Sequence, residues 1–367
     1  MTEDEGGTGG TGGTATRGRR RATIRDVAAR AGVSVATVSR VLADNYPVTY
    51  STRARVLHAV RTLDYVANAH ARALAGAGLE SVAFVLDDIT GPSFAHIAAG
   101  VEDETARRGR LCLVCTTHGD KRREEDVVAL MREQRAAAVI LAGGAERTPE
   151  YRERITRFAH QLDAAGSRLV LCGRPAPDLP PGEELPVTLV EYDNEGGAFG
   201  ATAHLLSRGH QRVLFLGGLS ANTTAQERRA GYRRALASYS LEADPALIAD
   251  TDFSREGGLR GMREVLARGV DFTAVFAATD MVALGALEAL REAGLRVPGQ
   301  VSVAGFDDIP VSRELDPGLT TVHVPYEELG RTAVRLVMER RDPAQGTMPR
   351  VRLGTHVVVR GSTAPPP

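Results

Sequence analysis

Lysine is nearly missing: of 45 basic lysine and arginine residues, only Lys121 is a lysine. We attribute that bias to coding composition, although arginine's permanent charge and forked donors suit phosphate contact. Cysteine is scarce as well, with three in 367 residues: Cys112 and Cys115 in LCLVC and Cys172 in LVLCG. Thiols in apolar, strand-like runs read as reduced core groups, and three of them cannot build a disulfide framework. The Cys-x-x-Cys spacing has no second pair of ligands near it, so no metal is expected. No apolar run reaches the roughly 18 residues of a membrane span, and the first residues carry no apolar leader stretch. The expectation is a cytoplasmic protein with no membrane partner. Gly-x-Ser-x-Gly, the phosphate-loop Gly-x-x-x-x-Gly-Lys-Ser/Thr and His-Glu-x-x-His are all absent, which removes the common nucleophile, phosphate and zinc signatures. An enzyme is therefore not expected, nor is a cofactor.

What is present begins at Thr23. In TIRDVAARAGVSVATVSR, Ile24, Val27, Ala28 and Ala31 recur at helical spacing, Gly32 breaks the helix, and Ser34 can cap a second one with Val38 and Val41 inward. Two short helices across a tight turn form a helix-turn-helix. Val35, Ala36, Thr37, Ser39 and Arg40 then fall near the start of the second helix, where a major groove would meet them. A helical hairpin packed inside a core would show the same periodicity, and charge separates the two readings. Between Arg17 and Ala75 eleven arginines face three acids, a net of +8, whereas the whole chain is −1. A basic head on an acidic body is the footprint of a protein that displaces counterions from a phosphate backbone.

Residues 1–20 are mostly Gly and Thr after an acidic start, a composition that predicts a disordered tail. The head is expected over 21–66: a turn at Asp44-Asn45-Tyr46-Pro47, then a third helix from about Thr52 to Leu63, capped by Ser51 and burying Val56, Val60 and Leu63. Residues 67–79 read as a short helix, NAHARAL, with a flexible AGAG linker. An isolated helix below ~12 residues rarely repays nucleation, so this one should form only when held.

From Thr23 to Ala75 the chain resembles the DNA-binding head of the lactose-repressor/galactose-repressor (LacI/GalR) family of bacterial regulators, and the similarity extends to about Ser362. The resemblance implies a hinge helix with Asn68, Ala71 and Leu74 at the minor groove, Leu74 being the wedge that unstacks a base step. It also implies base contacts from Val35, Ala36 and Arg40, and backbone contacts from Thr23, Ser34, Thr37, Ser39, Asn45 and Thr52. Ala67 stands where the family usually has proline.

From Ser81 onward, short apolar runs alternate with amphipathic helices, and the alternation restarts near Gly196. Such a pattern predicts α/β architecture, namely two doubly wound parallel-sheet lobes behind an all-α head. The expected lobes are discontinuous, 80–192 with 323–350 and 193–322 with 351–363, as the family's periplasmic-binding-protein-like body implies. Ligands of open parallel sheets sit beyond the strands' carboxyl ends, so facing lobes should enclose a cleft. Candidate ligand contacts cluster at those ends: Ser93, Phe94, Arg174, Asn222, Thr224, Thr279 and Asp307, with Arg228 and Phe253 nearby. By the family match, Asp307, Arg228, Thr279 and Phe253 are effector contacts. The polar forks and ring faces favour a sugar or sugar-derived effector. Each residue also has a plain structural reading: Arg228 paired with an internal acid, Phe253 in the core, Asp280 and Asp308 as caps. Phosphosugars stay open because Arg174 and Arg228 can both serve a phosphate, and a corepressor response stays open beside induction. No leucine heptad follows the last strands, so the expected assembly is a homodimer on an inverted-repeat stretch of double-stranded DNA.

Overall fold

Thr23 opens the first helix by a reciprocal cap. Its hydroxyl accepts from the Asp26 amide while the Asp26 carboxylate accepts from the Thr23 amide at 2.7 Å, and helix α1 (Ile24–Ala31) follows. Gly32, at φ 63°, closes α1 in the left-handed region. Ser34 Oγ accepts from the Thr37 amide at 3.1 Å and starts α2 (Val35–Ala43). Helix α3 (Tyr50–Thr62) begins earlier than expected. Thr49 holds the cap position and donates to the Thr52 hydroxyl at 2.9 Å, so Ser51 lies inside the helix and does not cap it. Val27, Ala31, Val38, Val41, Val56 and Ala59 form the buried centre, with Ile24, Val60 and Leu63 packed around it.

The computed structural model describes residues 22–43, 47–65, 81–339 and 349–367, in two units, Met1–Leu79 and Glu80–Pro367. The expected tail, the turn with Asn45, and the hinge residues Asn68, Ala71 and Leu74 lie outside the described residues.

In the second unit the first sheet is built from β1 (Val82–Leu86), β2 (Cys112–Thr116), β3 (Ala138–Ala142), β4 (Arg168–Cys172) and β5 (Val187–Tyr192), joined through α4 (Pro92–Arg107), α5 (Lys121–Glu133) and α6 (Pro149–Ala164). The chain then passes through α7 (Asn194–Ser207) into a second parallel sheet of β6 (Val213–Leu216), β7 (Ile248–Ala249), β8 (Ala274–Ala277) and β9 (Ser302–Ala304). Its helices are α8 (Thr223–Ser238), α9 (Arg255–Ala267), α10 (Asp280–Glu292) and the short α11 (Val311–Glu314). Strand β10 (Thr321–His323) leads into α12 (Tyr326–Met338), and β11 (Arg350–Leu353) and β12 (His356–Val358) complete the unit. The first sheet runs β11-β5-β4-β3-β1-β2, the second β7-β6-β8-β9, and β10 pairs antiparallel with β12. Fully buried strands such as β1 and β3 read as unbroken apolar runs because helices cover both faces.

Two features differ from expectation. Strand β11 pairs with β5, Val351 opposite Val190, so residues 351–353 complete the first sheet and do not belong to the second lobe. The backbone donors and acceptors of β5's outer edge need a partner, and the returning chain supplies it. Strand β2 lies at the other edge, leaving Cys112 and Cys115 only half buried, while Cys172 is buried as expected. Among the described residues no helix is long and apolar enough to cross a membrane.

Helix packing against the first sheet relies on glycine. Gly100 of α4 meets the Glu327 carbonyl of α12, and Gly330 of α12 meets the Ile97 carbonyl, each so closely that a Cβ would overlap it. Gly100→Ala should therefore force the helices apart and destabilise the second unit by about 1–3 kcal/mol, despite alanine's better helix propensity. Urea denaturation of the two proteins checks this, and an alanine variant as stable as the parent would contradict the packing.

Candidate functional site

The carboxyl ends of both parallel sheets converge on a cavity of about 270 Å³. Ser93 and Phe94 reach it from the first turn of α4, which Gly91 and Pro92 start. Asn222 and Thr224 come from the start of α8, where the Asn222 carboxamide oxygen accepts from the Thr224 amide at 2.9 Å. Thr279 caps α10, its hydroxyl accepting from the Val282 amide at 3.1 Å. Phe253, Arg228 and Asp307 complete the expected set, so eight of the nine effector candidates border one space.

Arg174 does not. Its guanidinium donates to Glu124 at 2.6 Å and to the Ala142 carbonyl, and Glu124 also accepts from Arg154 at 3.1 Å. A buried carboxylate demands compensation, and Arg174, only 4% exposed, is drawn into supplying it in a neighbouring recess.

Sequence reasoning missed Tyr192 and Tyr326. Tyr192 ends β5 and Tyr326 begins α12; their rings meet edge to face at 5.6 Å, and both line the cavity. Their hydroxyls join the central ion pair. Arg228 donates from Nε to Asn194 Oδ1 at 2.9 Å, from one terminal nitrogen to the Ala278 carbonyl, and from the other to Asp307 at 3.3 Å and to the Tyr192 hydroxyl at 3.4 Å. Tyr326 donates to the same Asp307 oxygen at 2.7 Å, and Phe306 lies 3.7 Å beneath the guanidinium. Arg228 is thus both a cavity residue and the partner of an internal acid. Burial opposes its charge, but Asp307 and the tyrosines outweigh burial and raise its pKa. Burial likewise raises the Asp307 pKa, an effect that Arg228 and Tyr326 only partly offset. Asp307 adopts φ 119°, outside the regions L-residues favour, and strain of this kind persists where surrounding contacts over-determine it.

Two glycines seat the aromatic walls. A Cβ on Gly143 would lie 3.1 Å from Phe94 Cζ, and one on Gly218 would lie 3.1 Å from Phe253 Cζ. Neither Asp280 nor Asp308 caps a helix through its side chain. Asp308 pairs with His323 and Arg360, and Asp280 accepts from the Ile309 amide, Ser312 and Thr321, tying the loop after β9 to β10.

In the first unit, α2 turns Val38 and Val41 inward and leaves Val35, Ala36 and Arg40 exposed, Val35 by 42%. Thr23 and Ser34 are exposed at the starts of α1 and α2, whereas Thr37, Ser39 and Thr52 are half buried. The Ser34 and Thr37 hydroxyls lie 2.9 Å apart. The exposed trio lies on the face opposite the core, the arrangement a groove-reading helix requires.

A helix-turn-helix head followed by a two-lobed body around a polar, aromatic-walled cavity defines a DNA-binding transcriptional regulator. The model of bacterial regulatory proteins, lacI family, matches residues 23–68, and a periplasmic binding protein-like domain matches residues 202–363. The regulator CelR of Thermobifida fusca is 35% identical over 349 residues, covering 94% of this chain and 99% of CelR. A solved CelR–cellobiose complex is 34% identical with a TM-score of 0.68, covering 93% of this chain and all of that one (100%). A Lac repressor dimer bound to operator and the anti-inducer ONPF is 25% identical with a TM-score of 0.80, covering 94% and 100% of the two chains. The chain belongs to the LacI family of bacterial transcriptional regulators.

Asp280 provides a pH signature for this scaffold. Burial pushes its pKa up to about 7 from an ordinary 3.8, with Asp307's charge adding to the rise. Between those values the folded state holds a proton that the unfolded state has released. The stabilising contribution is therefore complete below about pH 4 and is lost as pH rises to about 7. Asp280→Asn should flatten the fall in unfolding free energy between about pH 4 and 7. Denaturant titrations across that range test it, and parallel pH profiles for the two proteins would refute the assignment.

Proposed function

We propose that the chain is a sugar-responsive repressor: a homodimer whose two heads bind an inverted-repeat operator, with an affinity set by a neutral oligosaccharide in the cavity. The observation that carries the sugar class is the cavity's charge balance. Among the described residues lining it, Arg228 is the only cation, and Asp307 already takes up its charge. A phosphate would compete with that internal carboxylate and would find no help from Arg174. Hydroxyls, which both donate and accept, can join the Asp307, Tyr192, Asn222 and Thr224 groups, while the Phe94 and Phe253 faces suit a sugar's C–H side. The volume lies near the lower end of the roughly 300–1,000 Å³ range of ligand pockets and suits one or two pyranose rings. The cellobiose complex of CelR makes cellobiose the first candidate.

The dimer reading draws on the Lac repressor dimer and on β2, an edge strand with exposed apolar groups in and beside it: Leu111 is 54%, Leu113 37% and Val114 42% exposed. An apolar strand edge calls for a partner, and a second copy is the one we assign. In this reading the effector acts through its differential affinity for the two states.

Calorimetry with cellobiose tests the sugar class. The parent should bind it, Asp307→Asn should weaken it by about tenfold or more, and glucose 6-phosphate should bind no better than glucose. Tighter phosphosugar binding would reverse the assignment. On an operator selected from random duplexes, Arg40→Ala should lose about 1–3 kcal/mol of specific binding while keeping the salt-sensitive, non-specific component. If the parent shows no preference over random DNA, operator reading fails.

A further inference from the structure

We propose that a latch built into the fold holds the cavity closed between the lobes, and that Thr223 is its positioning residue. The inference deepens the reading above, because it assigns the gating of that cavity and rests on the cavity's being a ligand site. The Ala145 amide donates to Thr223 Oγ1 at 3.3 Å, and the Thr223 amide donates back to the Ala145 carbonyl at 3.0 Å. Next to them, Glu146 and Asn222 pair as an isolated antiparallel bridge. Residues 143–146 follow β3 of the first sheet, whereas residues 222–224 open α8 beside the second. Two separate sheets thus exchange a short stretch of sheet-like backbone pairing at the rim of the cavity. Thr223 is 4% exposed, so water does not readily replace these bonds.

The glycine pair ahead of Ala145 ties the latch to the ligand space. Gly144 lies against Asn222 and Thr224 so closely that a Cβ would stand 2.8 Å from Asn222 Oδ1 and from Thr224 Oγ1. Gly143, at φ 95°, seats the Phe94 ring on its other side. Four consecutive residues therefore carry one aromatic wall and the lobe-to-lobe bonds, and the polar groups they press on are cavity groups themselves. A ligand that grips Asn222 or Thr224 acts on the residues flanking Thr223. Closed lobes hold the cavity walls in place before the ligand arrives, and a ligand is admitted only when the latch opens.

Glu146→Cys combined with Asn222→Cys in the full-length chain tests this, since residues opposed in an antiparallel pair have Cα atoms roughly 4.5–5.5 Å apart, within disulfide reach. With diamide and no sugar present, the pair should crosslink in high yield. Each single variant controls for Cys112, Cys115 and Cys172. In stopped-flow mixing the crosslinked protein should take up cellobiose about tenfold or more slowly than the same protein after reduction. Thr223→Val, which removes Oγ1 but keeps the shape, should speed both association and dissociation, and Thr223→Ser should restore the parental rates. Failure to crosslink without sugar overturns the latch. So do sugar-uptake rates unaffected by both the crosslink and Thr223→Val. If the parent binds no sugar at all, the ligand reading fails, and the crosslink yield alone decides the latch: high yield upholds it, low yield overturns it.

Discussion

The buried charge of Arg228 is the constraint around which the body is arranged. A guanidinium 1% exposed has lost its water, a loss of several kcal/mol unless charge and acceptors replace it. Its partners come from separate places in the chain: Asn194 at the start of α7, Ala278 after β8, Asp307 after β9 and Tyr192 at the end of β5. Satisfying one side chain therefore brings the ends of both sheets to one point. Tyr326, at the start of α12, braces the far side through Asp307. The unfavourable φ of Asp307 fits this account, because a carboxylate held from two directions can keep a backbone conformation that it would not adopt alone.

The same constraint shapes what the cavity offers a ligand. With Asp307 engaged by Arg228 and Tyr326, that pair's charges offset each other, and the hydroxyl and amide groups of Tyr192, Asn222, Thr224 and Thr279 supply further polar capacity. Asp87 adds a second carboxylate to the lining, so the cavity offers directional hydrogen bonds and ring faces and its charge opposes an anion. The Arg154–Glu124–Arg174 triad in the first lobe follows the same logic: a buried acid recruits the nearest cations and withdraws them from the ligand space. Glu124 thus binds Arg174 outside the cavity without lining that cavity itself.

Legibility in the sequence followed the range of the interaction. The head was readable because its signals are local: Thr23 and Asp26 cap each other three residues apart, Gly32 stops a helix, and Val27, Val38 and Val56 mark inward faces. Even there Ser51 is not the cap: a run of hydroxyl residues at 49–52 offers several equivalent starts, and the helix begins after Thr49. In the body, alternation of apolar strands and amphipathic helices carried the fold, and strand-end position carried six of the eight cavity residues, while Arg228 and Phe253 rested on the family resemblance. Arg174 was indistinguishable from a ligand contact until Glu124, fifty residues away in sequence, was found beside it. Tyr192 and Tyr326 were missed for the converse reason: one ends a strand that follows a proline-rich stretch, the other starts a helix, and nothing local marks their rings as converging. Strand β11 was given to the wrong lobe because register between distant strands depends on which edge needs a partner, a property of the assembled sheet.

Backbone proximity, more than side-chain chemistry, connects these parts. Glycines 100 and 330 let α12 sit directly on α4, which fixes Tyr326 relative to Phe94. Glycines 143 and 144 let the first lobe touch both the Phe94 ring and the start of α8. Each contact tolerates almost no displacement, because no side chain lies between the backbones to adjust. Contacts of this kind favour discrete change over gradual strain, because a close-packed core resists deformation. Two-state behaviour of that kind is what an operator switch needs, since a ligand can move a repressor between states only by the difference in its affinity for them.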